Sequence, residues 1–401
     1  MSISSSNNVV STPQQPLPPV PIPVDPNLTD RTRALFTALH NHTGEFAMFG
    51  HQGDTSSHHS TTADSDVLDV TGSYPAVCGF DLGRIELGWS ENIDHVPFEF
   101  IRSEARRMYQ LGAIITFSWH SVNPITEGGY GDNMAPESVT SVLPGGKLHE
   151  KYCGWLDHLA DFLLSVRDDN DNLIPIIFRP YHEHTGDWFW WCPGSPAQPT
   201  DTEAVQFTAL WRMTVEYLRD KRDVHNVLYA YSPDRSRIDM TNDTTAQAGY
   251  LYGYPGDDYV DVLGLDDYWD IDQPLTGPNA IDPAERHDTF VRVLTLIGRL
   301  GAERGKLAAA TEVGSPREFA AAFGTNPDSP WTTFMLSAAT ANEFTQRVLW
   351  YLPWCNFPGV AEDSGAYGTP IADSQYADDF RRFVRDDFMR LADTLPSMYG
   401  E

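Results

Sequence analysis

The sequence predicts a single (β/α)8 barrel (TIM barrel), an α/β fold, on three observations. Eight short and continuous apolar runs recur along the chain, stretches of helical length lie between most of them, and nearly every run ends in polar or aromatic residues. Continuous apolar runs fit strands buried on both faces, as in a parallel sheet, and barrel enzymes build their sites at the C-terminal ends of the strands. A doubly wound sheet usually has fewer strands and wants a Gly-rich phosphate turn after the first. The residues that follow the first run here, GHQGDTSSHH from Gly50, are not such a turn. No repeat of solenoid period and no second-domain boundary is visible.

Residues 1–27 are rich in Ser, Asn and Pro and read as an extended leader or linker, with the barrel domain over 28–401. The segment has no charged start and no apolar stretch, so it is not a secretory signal. That leaves a cytoplasmic chain or a mature form without its signal; a secreted or extracellular setting is the expectation. From Leu28 to His42 a helix is predicted, with Leu35, Phe36 and Leu39 as its apolar stripe. The runs follow at Phe46 to Gln52, Ala76 to Gly83, Ala113 to His120, Leu173 to Glu183, Asn226 to Asp234, Val260 to Trp269, Lys306 to Gly314 and Arg347 to Asn356. Between them, helices are predicted over Pro97 to Leu111, Leu148 to Val166, Ala204 to Arg219, Pro283 to Arg304 and Pro330 to Ala341, with a last one over Ala377 to Asp393. Pro97 at a first turn and Gly112 past an end are the expected start and stop signals. The links after runs one and five are less clearly helical.

Composition excludes several functions. Asp and Glu number 56 against 27 Lys and Arg, a net charge of -29, and such a surface repels nucleic acid and anionic membranes. No apolar run is long enough to cross a bilayer. A neutral ligand meets no such barrier, and the 11 Trp and 17 Tyr, many beside His, Asp or Glu, offer stacking surface for sugar rings as well as core. The four cysteines are far apart and form no C-x-x-C pair, which argues against a zinc ribbon. Either one or two disulfides or four buried thiols fit them. No cofactor and no metal site is expected, and the chain reads as a monomer.

Two strand-end carboxylates carry the candidate chemistry. Glu183 ends the fourth run and Glu312 the seventh. Only a closed fold brings them together, and in an eight-stranded ring those ends face across one mouth. A facing pair about 5–5.5 Å apart is what a retaining glycoside hydrolase uses, one carboxyl protonating the leaving oxygen while the other attacks the anomeric carbon. Mutual repulsion raises the proton affinity of one and so divides the roles.

The segment RPYHEHTGDWFWW, Arg179 to Trp191, resembles the acid/base segment of glycoside hydrolase family 26, a family mostly of β-mannanases within the large clan of retaining (β/α)8 hydrolases. TEVG from Thr311 resembles its nucleophile segment, and TFSWH from Thr116 and LPWCN from Leu352 match in order and spacing. The resemblance implies Glu183 as acid/base and Glu312 as nucleophile. It implies His182 against the sugar or nucleophile, and Tyr268 hydrogen-bonded to the nucleophile. His120 and Trp188 would line the central subsites, and Trp354 would floor the sugar at the cleavage point. Arg179, Trp119, Phe189 and Asn356 are further implied substrate-binding positions. The implied substrate is a neutral β-1,4-mannan, glucomannan or galactomannan; β-1,3-xylan and mixed-linkage β-glucan are the alternatives within the family. The Gly-rich loop Thr126 to Ser138 matches no subsite pattern and leaves endo or exo cleavage open.

Two rival functions fit parts of the sequence less well. Histidines 51, 58, 59, 120, 182 and 184 could serve a metal-dependent barrel hydrolase, but the first run offers His51-Gln52-Gly53 rather than His-x-His, and His182 and His184 are expected on opposite faces of a strand. A non-catalytic carbohydrate-binding barrel has no need of both Glu183 and Glu312.

Overall fold

The structure is a computed structural model and describes residues 20–133, 135–271, 282–316, 330–357 and 368–400. The eight predicted runs form eight parallel strands: β1 (Ala47–Gln52), β2 (Val77–Asp81), β3 (Ile114–Trp119), β4 (Ile176–Pro180), β5 (Val227–Tyr231), β6 (Val262–Asp267), β7 (Leu307–Val313) and β8 (Val348–Pro353). Each is buried along its whole length, as strands enclosed by helices must be. Neighbours pair in sequence order, and β8 returns to β1 with Met48 opposite Trp350 and Phe49 opposite Tyr351, which closes the barrel. Alternation along β3 separates its two environments. Phe117 packs outward against Phe162, while Thr116 and Ser118 point into the barrel and hydrogen-bond Ile177 O (3.0 Å) and Asp81 (2.7 Å). The interior is tightly filled: a Cβ on Gly79 would lie 2.0 Å from Gln52 Oε1, so that position admits no side chain.

The helices are α1 (Asp30–Asn41), α2 (Asp66–Thr71), α3 (Phe98–Gln110), α4 (His149–Ser165), α5 (Ala204–Glu216), α6 (Asp243–Tyr250), α7 (Pro283–Arg304) and α8 (Ala377–Val384). The unclear links after β1 and β5 carry α2 and α6. Both are short, so neither shows two full turns of apolar period, yet each has a side-chain cap, Ser65 Oγ accepting from Leu68 N (2.8 Å) and Asn242 from Thr245 N (3.1 Å). Two expectations shift. The link over Pro330 to Ala341 is largely a wider π-helical turn, Trp331–Leu336. The last helix stops at Val384 instead of running to Asp393, because Asp386 turns the chain by accepting from Phe388 N (2.9 Å). Met389–Arg390 (β9) then pairs with Ala47 and Met48 at the start of β1.

Of the Pro-rich leader, residues 1–19 lie outside the described residues. Val24 and Asp25 are buried on the barrel: Val24 N donates to Asp261 (2.8 Å), and Asp25 pairs with His225 (2.8 Å). All four cysteines are free and buried.

Asp379 fastens α8 to the link before β8. Its fully buried carboxylate accepts from Trp331 N (2.7 Å), Thr332 N (3.2 Å) and Thr332 Oγ1 (2.6 Å). Asp379→Ala strands those donors and is expected to lower stability by about 2–4 kcal/mol, with Asp379→Asn losing less. The midpoint of urea unfolding measures it; an unshifted midpoint in the alanine variant would contradict the fastening role.

Candidate active site

The site begins where β4 ends. After Pro180 the backbone leaves the extended conformation, and Tyr181 and Glu183 both have φ of 52°, a left-handed region that non-glycine residues rarely occupy. Surrounding bonds hold this contour. Tyr181 OH is bonded to Tyr152 OH (2.6 Å) and Thr214 Oγ1 (2.8 Å), Glu183 N donates to Ser232 O (2.7 Å), and Trp191 Nε1 donates to His182 O (2.9 Å). The contour also explains why His182 and His184 part. Two positions apart in a strand they would share a face, but here His182 meets His120 (Nε2 to Nε2, 3.0 Å) while His184 stacks on Phe207 at 4.4 Å. Burial holds His184 neutral, its pKa lowered to about 3, and it serves the wall behind the mouth.

Glu183 and Glu312 meet across the mouth. Single carboxylate oxygens of Glu183, Asp266 and Glu312 all lie within 4.8 Å of one another. Their surroundings differ in kind. Glu312 Oε1 accepts from Arg179 Nη2 and its Oε2 from Tyr268 OH (2.7 Å), so each oxygen has its own donor. Arg179 also donates to Asp266 (2.8 Å) and Ser232 Oγ (3.3 Å). Burial opposes the guanidinium charge, but Asp266 and Glu312 outweigh it and push Arg179 above its ordinary value. Among the described residues Glu183 has one donor, Trp188 Nε1 at 2.6 Å. Burial first, then the charges of Glu312, Asp234 and Asp266, push its carboxyl well above the usual range, against the opposing pull of Trp188. The two carboxyl groups therefore stand in unlike settings, Glu183 pushed toward its protonated form and Glu312 held by a guanidinium and a phenol. These three carboxylates are close enough to share a cation, yet Arg179 already supplies positive charge at two of them.

The remaining expected residues fall into two groups. His120, His182, Trp188, Phe189, Tyr268, Arg179 and Trp354 are brought together. Phe189 lies edge-on to His120 at 5.5 Å and 5.1 Å from His182, and the Trp354 ring lies 5.9 Å from His120. Trp188 reaches Glu183 by folding over Gly186, where a Cβ would sit 2.5 Å from its ring; Arg237 covers the ring at 5.5 Å. Trp119 and Asn356 are not brought to the mouth. Trp119 points outward from β3, fully buried against Tyr152 and Tyr181, with Nε1 donating to Glu86 (2.9 Å). Asn356 spends its amide on Asp66 (2.7 Å) and on Thr369, joining the loop after β1 to the segment after β8.

Three neighbours were not anticipated as site residues. Asp81 binds His120 Nδ1 (2.7 Å); burial opposes charge on that imidazole, but Asp81 outweighs it and raises the His120 pKa. His182, by contrast, is held well below its ordinary value by burial, then by His120 and Arg179. Asp266 stands two residues before Tyr268 on the same run, a spacing that puts both on one side and could have flagged it. Tyr130, half-exposed in the Gly-rich loop, packs on His120 at 4.9 Å; no pattern marks it.

A parallel (β/α)8 barrel with two unlike carboxyl groups facing across its C-terminal mouth, walled by tryptophan and histidine, defines a glycoside hydrolase. Comparison with known proteins gives the family. Residues 24–328 match the sequence profile of glycosyl hydrolase family 26, and the chain belongs to that family. It is 35% identical over 367 residues to a mannan endo-1,4-beta-mannosidase of Bifidobacterium adolescentis, covering 90% of this chain and 34% of that protein, so it spans about a third of that relative's length. A mannan endo-1,4-beta-mannosidase of Bacillus subtilis is 27% identical over 68% of this chain and 73% of its own length. Among solved structures, a family 26 beta-mannanase from Bacteroides ovatus superposes with a TM-score of 0.78 at 34% identity, covering 93% of this chain and 98% of that one.

Because the Glu312 charge adds to burial in raising Glu183, Glu312→Gln is expected to shift the Glu183 titration to lower pH. Carbon-13 NMR of glutamate-labelled protein measures it, with Glu183→Gln identifying the resonance. An unmoved or rising titration would contradict the coupling.

Proposed function

We propose that this chain cleaves β-1,4-mannosidic bonds in a mannan, glucomannan or galactomannan by double displacement with retention of configuration. The observation that carries the mechanism is the 4.8 Å limit on the gap between Glu183 and Glu312 oxygens, a separation suited to direct attack rather than to an intervening water. Glu183 protonates the departing glycosidic oxygen while Glu312 attacks the anomeric carbon and becomes a glycosyl ester. Glu183, now an anion, then takes a proton from water, which attacks the same carbon and releases Glu312. Tyr268 and Arg179 hold Glu312 in place for the attack and take back its charge at release. The names of the relatives support mannan as the substrate, and the net charge of -29 suits a neutral polymer. Trp188, bonded to Glu183, and Trp354, beside His120, are the stacking surfaces this reading assigns to the sugar rings.

Glu312→Ala is expected to abolish turnover of every glycoside with the fold intact, since no other group replaces the nucleophile. Reducing-sugar release from mannan and circular dichroism of the same sample decide it, and near-full activity would place the nucleophile elsewhere. The unsubstituted chain should release product of the starting anomeric form, seen by proton NMR in the first minutes; the opposite anomer would mean an inverting pair. Release from β-1,3-xylan or mixed-linkage glucan with none from mannan would overturn the substrate and spare the mechanism.

Glu183→Ala is expected to lower polymer cleavage by about 10²–10⁴, the worth of general acid help. An activated aryl mannobioside needs no proton to depart, so its first step is spared and a burst appears as the glycosyl-enzyme accumulates. Equal loss on both substrates without a burst would remove Glu183 from the acid/base role.

A further inference from the structure

Trp354 is held from a distant part of the chain by a fully buried histidine and carboxylate that the mechanism above does not use. His51, at the end of β1, and Asp54, on the turn that follows, are 0% and 2% exposed. His51 Nδ1 lies 2.9 Å from Asp54 Oδ1, and His51 Nε2 lies 3.0 Å from the backbone oxygen of Trp354. A peptide carbonyl carries no proton, so Nε2 must be the donor in that bond. The Nδ1 contact then needs its own proton, on the nitrogen or on the carboxyl.

Position adds the functional link. Trp354 follows β8 directly, and its ring lies 5.9 Å from His120, which in turn contacts His182. The next residues are tied to the same β1 loop: Ser57 Oγ donates to Asn356 O (2.8 Å), and Asn356 Nδ2 to Asp66 (2.7 Å). Of these ties, His51 alone acts on the tryptophan itself.

We propose that His51 is a positioning residue for the hydrolase: through Nε2 it fixes the Trp354 backbone and so the height of the aromatic floor under the sugar being cleaved, with Asp54 holding the imidazole in the orientation and protonation this requires. This rests on the retaining-glycosidase reading. The test separates positioning from packing by choice of isostere. Glutamine places an amide nitrogen at the reach of Nε2, counted in bonds from Cβ, and asparagine places one at the reach of Nδ1. Both remove the same buried ring and should lower the unfolding midpoint alike. His51→Gln keeps a donor for Trp354 O and is expected to retain kcat/KM on mannan within about threefold. His51→Asn loses that donor and is expected to fall by about 10- to 100-fold, the scale of a lost buried hydrogen bond or a displaced binding group. Equal activity of the two variants would overturn the proposal, whatever their stability.

A second readout does not depend on turnover. Nitrogen-15 NMR of histidine-labelled protein, with His51→Gln assigning the signal, should show Nε2 of His51 protonated. A bare Nε2 would overturn the proposal even if mannan is cleaved. A protonated Nε2 in a chain that releases no sugar from any glycan would leave the bond to Trp354 intact and refute the hydrolase reading instead.

Discussion

The guanidinium of Arg179 is the interaction on which the site depends. Three carboxyl groups within 4.8 Å of one another, all at the buried mouth of a barrel, would not stay ionised together. Arg179 enters from β4 and binds two of them, Asp266 of β6 and Glu312 of β7, so one buried cation spans three strands. The third, Glu183, accepts from Trp188 instead, and burial, then the charges of Glu312, Asp234 and Asp266, push its carboxyl well above the usual range. The unlike settings of Glu183 and Glu312 follow in part from where a single positive charge is placed. The same contact draws the ends of strands four, six and seven toward one another, so barrel geometry and charge balance support each other.

Most of the fold is legible in the sequence because buried parallel strands are apolar throughout. All eight runs mark strands, though each run extends past the hydrogen-bonded segment. The run ending at Glu183 shows why. Its last residues continue the strand in composition but leave it in conformation, and the left-handed φ of Tyr181 and Glu183 comes from tertiary bonds that no local pattern records. The short helices α2 and α6 lack the length for a clear period. The end of α8 turns on one side chain, Asp386, inside a stretch that otherwise reads as helical.

Site legibility follows a similar rule. Glu183, Glu312, His182, Tyr268 and Trp188 are visible because each ends a run or lies in a distinctive motif. Trp119 and Asn356 stand equally near strand ends, yet strand alternation turns the first toward α4, and a local amide network consumes the second. Asp81 acts through His120 rather than directly at the mouth, and its part depends on the register of β2 against β3, which sets it opposite Ser118 and is not written in either run.

The closure of the barrel bears on when the molecule can first work. Both carboxyl groups and Arg179 have been made once β7 is complete, but Trp354 comes one strand later, and its support at His51 belongs to the first strand. Strands β8 and β9 both dock on β1. A chain emerging from the ribosome would thus carry Glu183 and Glu312 for about forty residues of synthesis before Trp354 reached its support, since folding proceeds from the N-terminal side as the chain is made. Joining the last strands to the first is therefore both the final step of assembly and the step that seats Trp354 at the mouth.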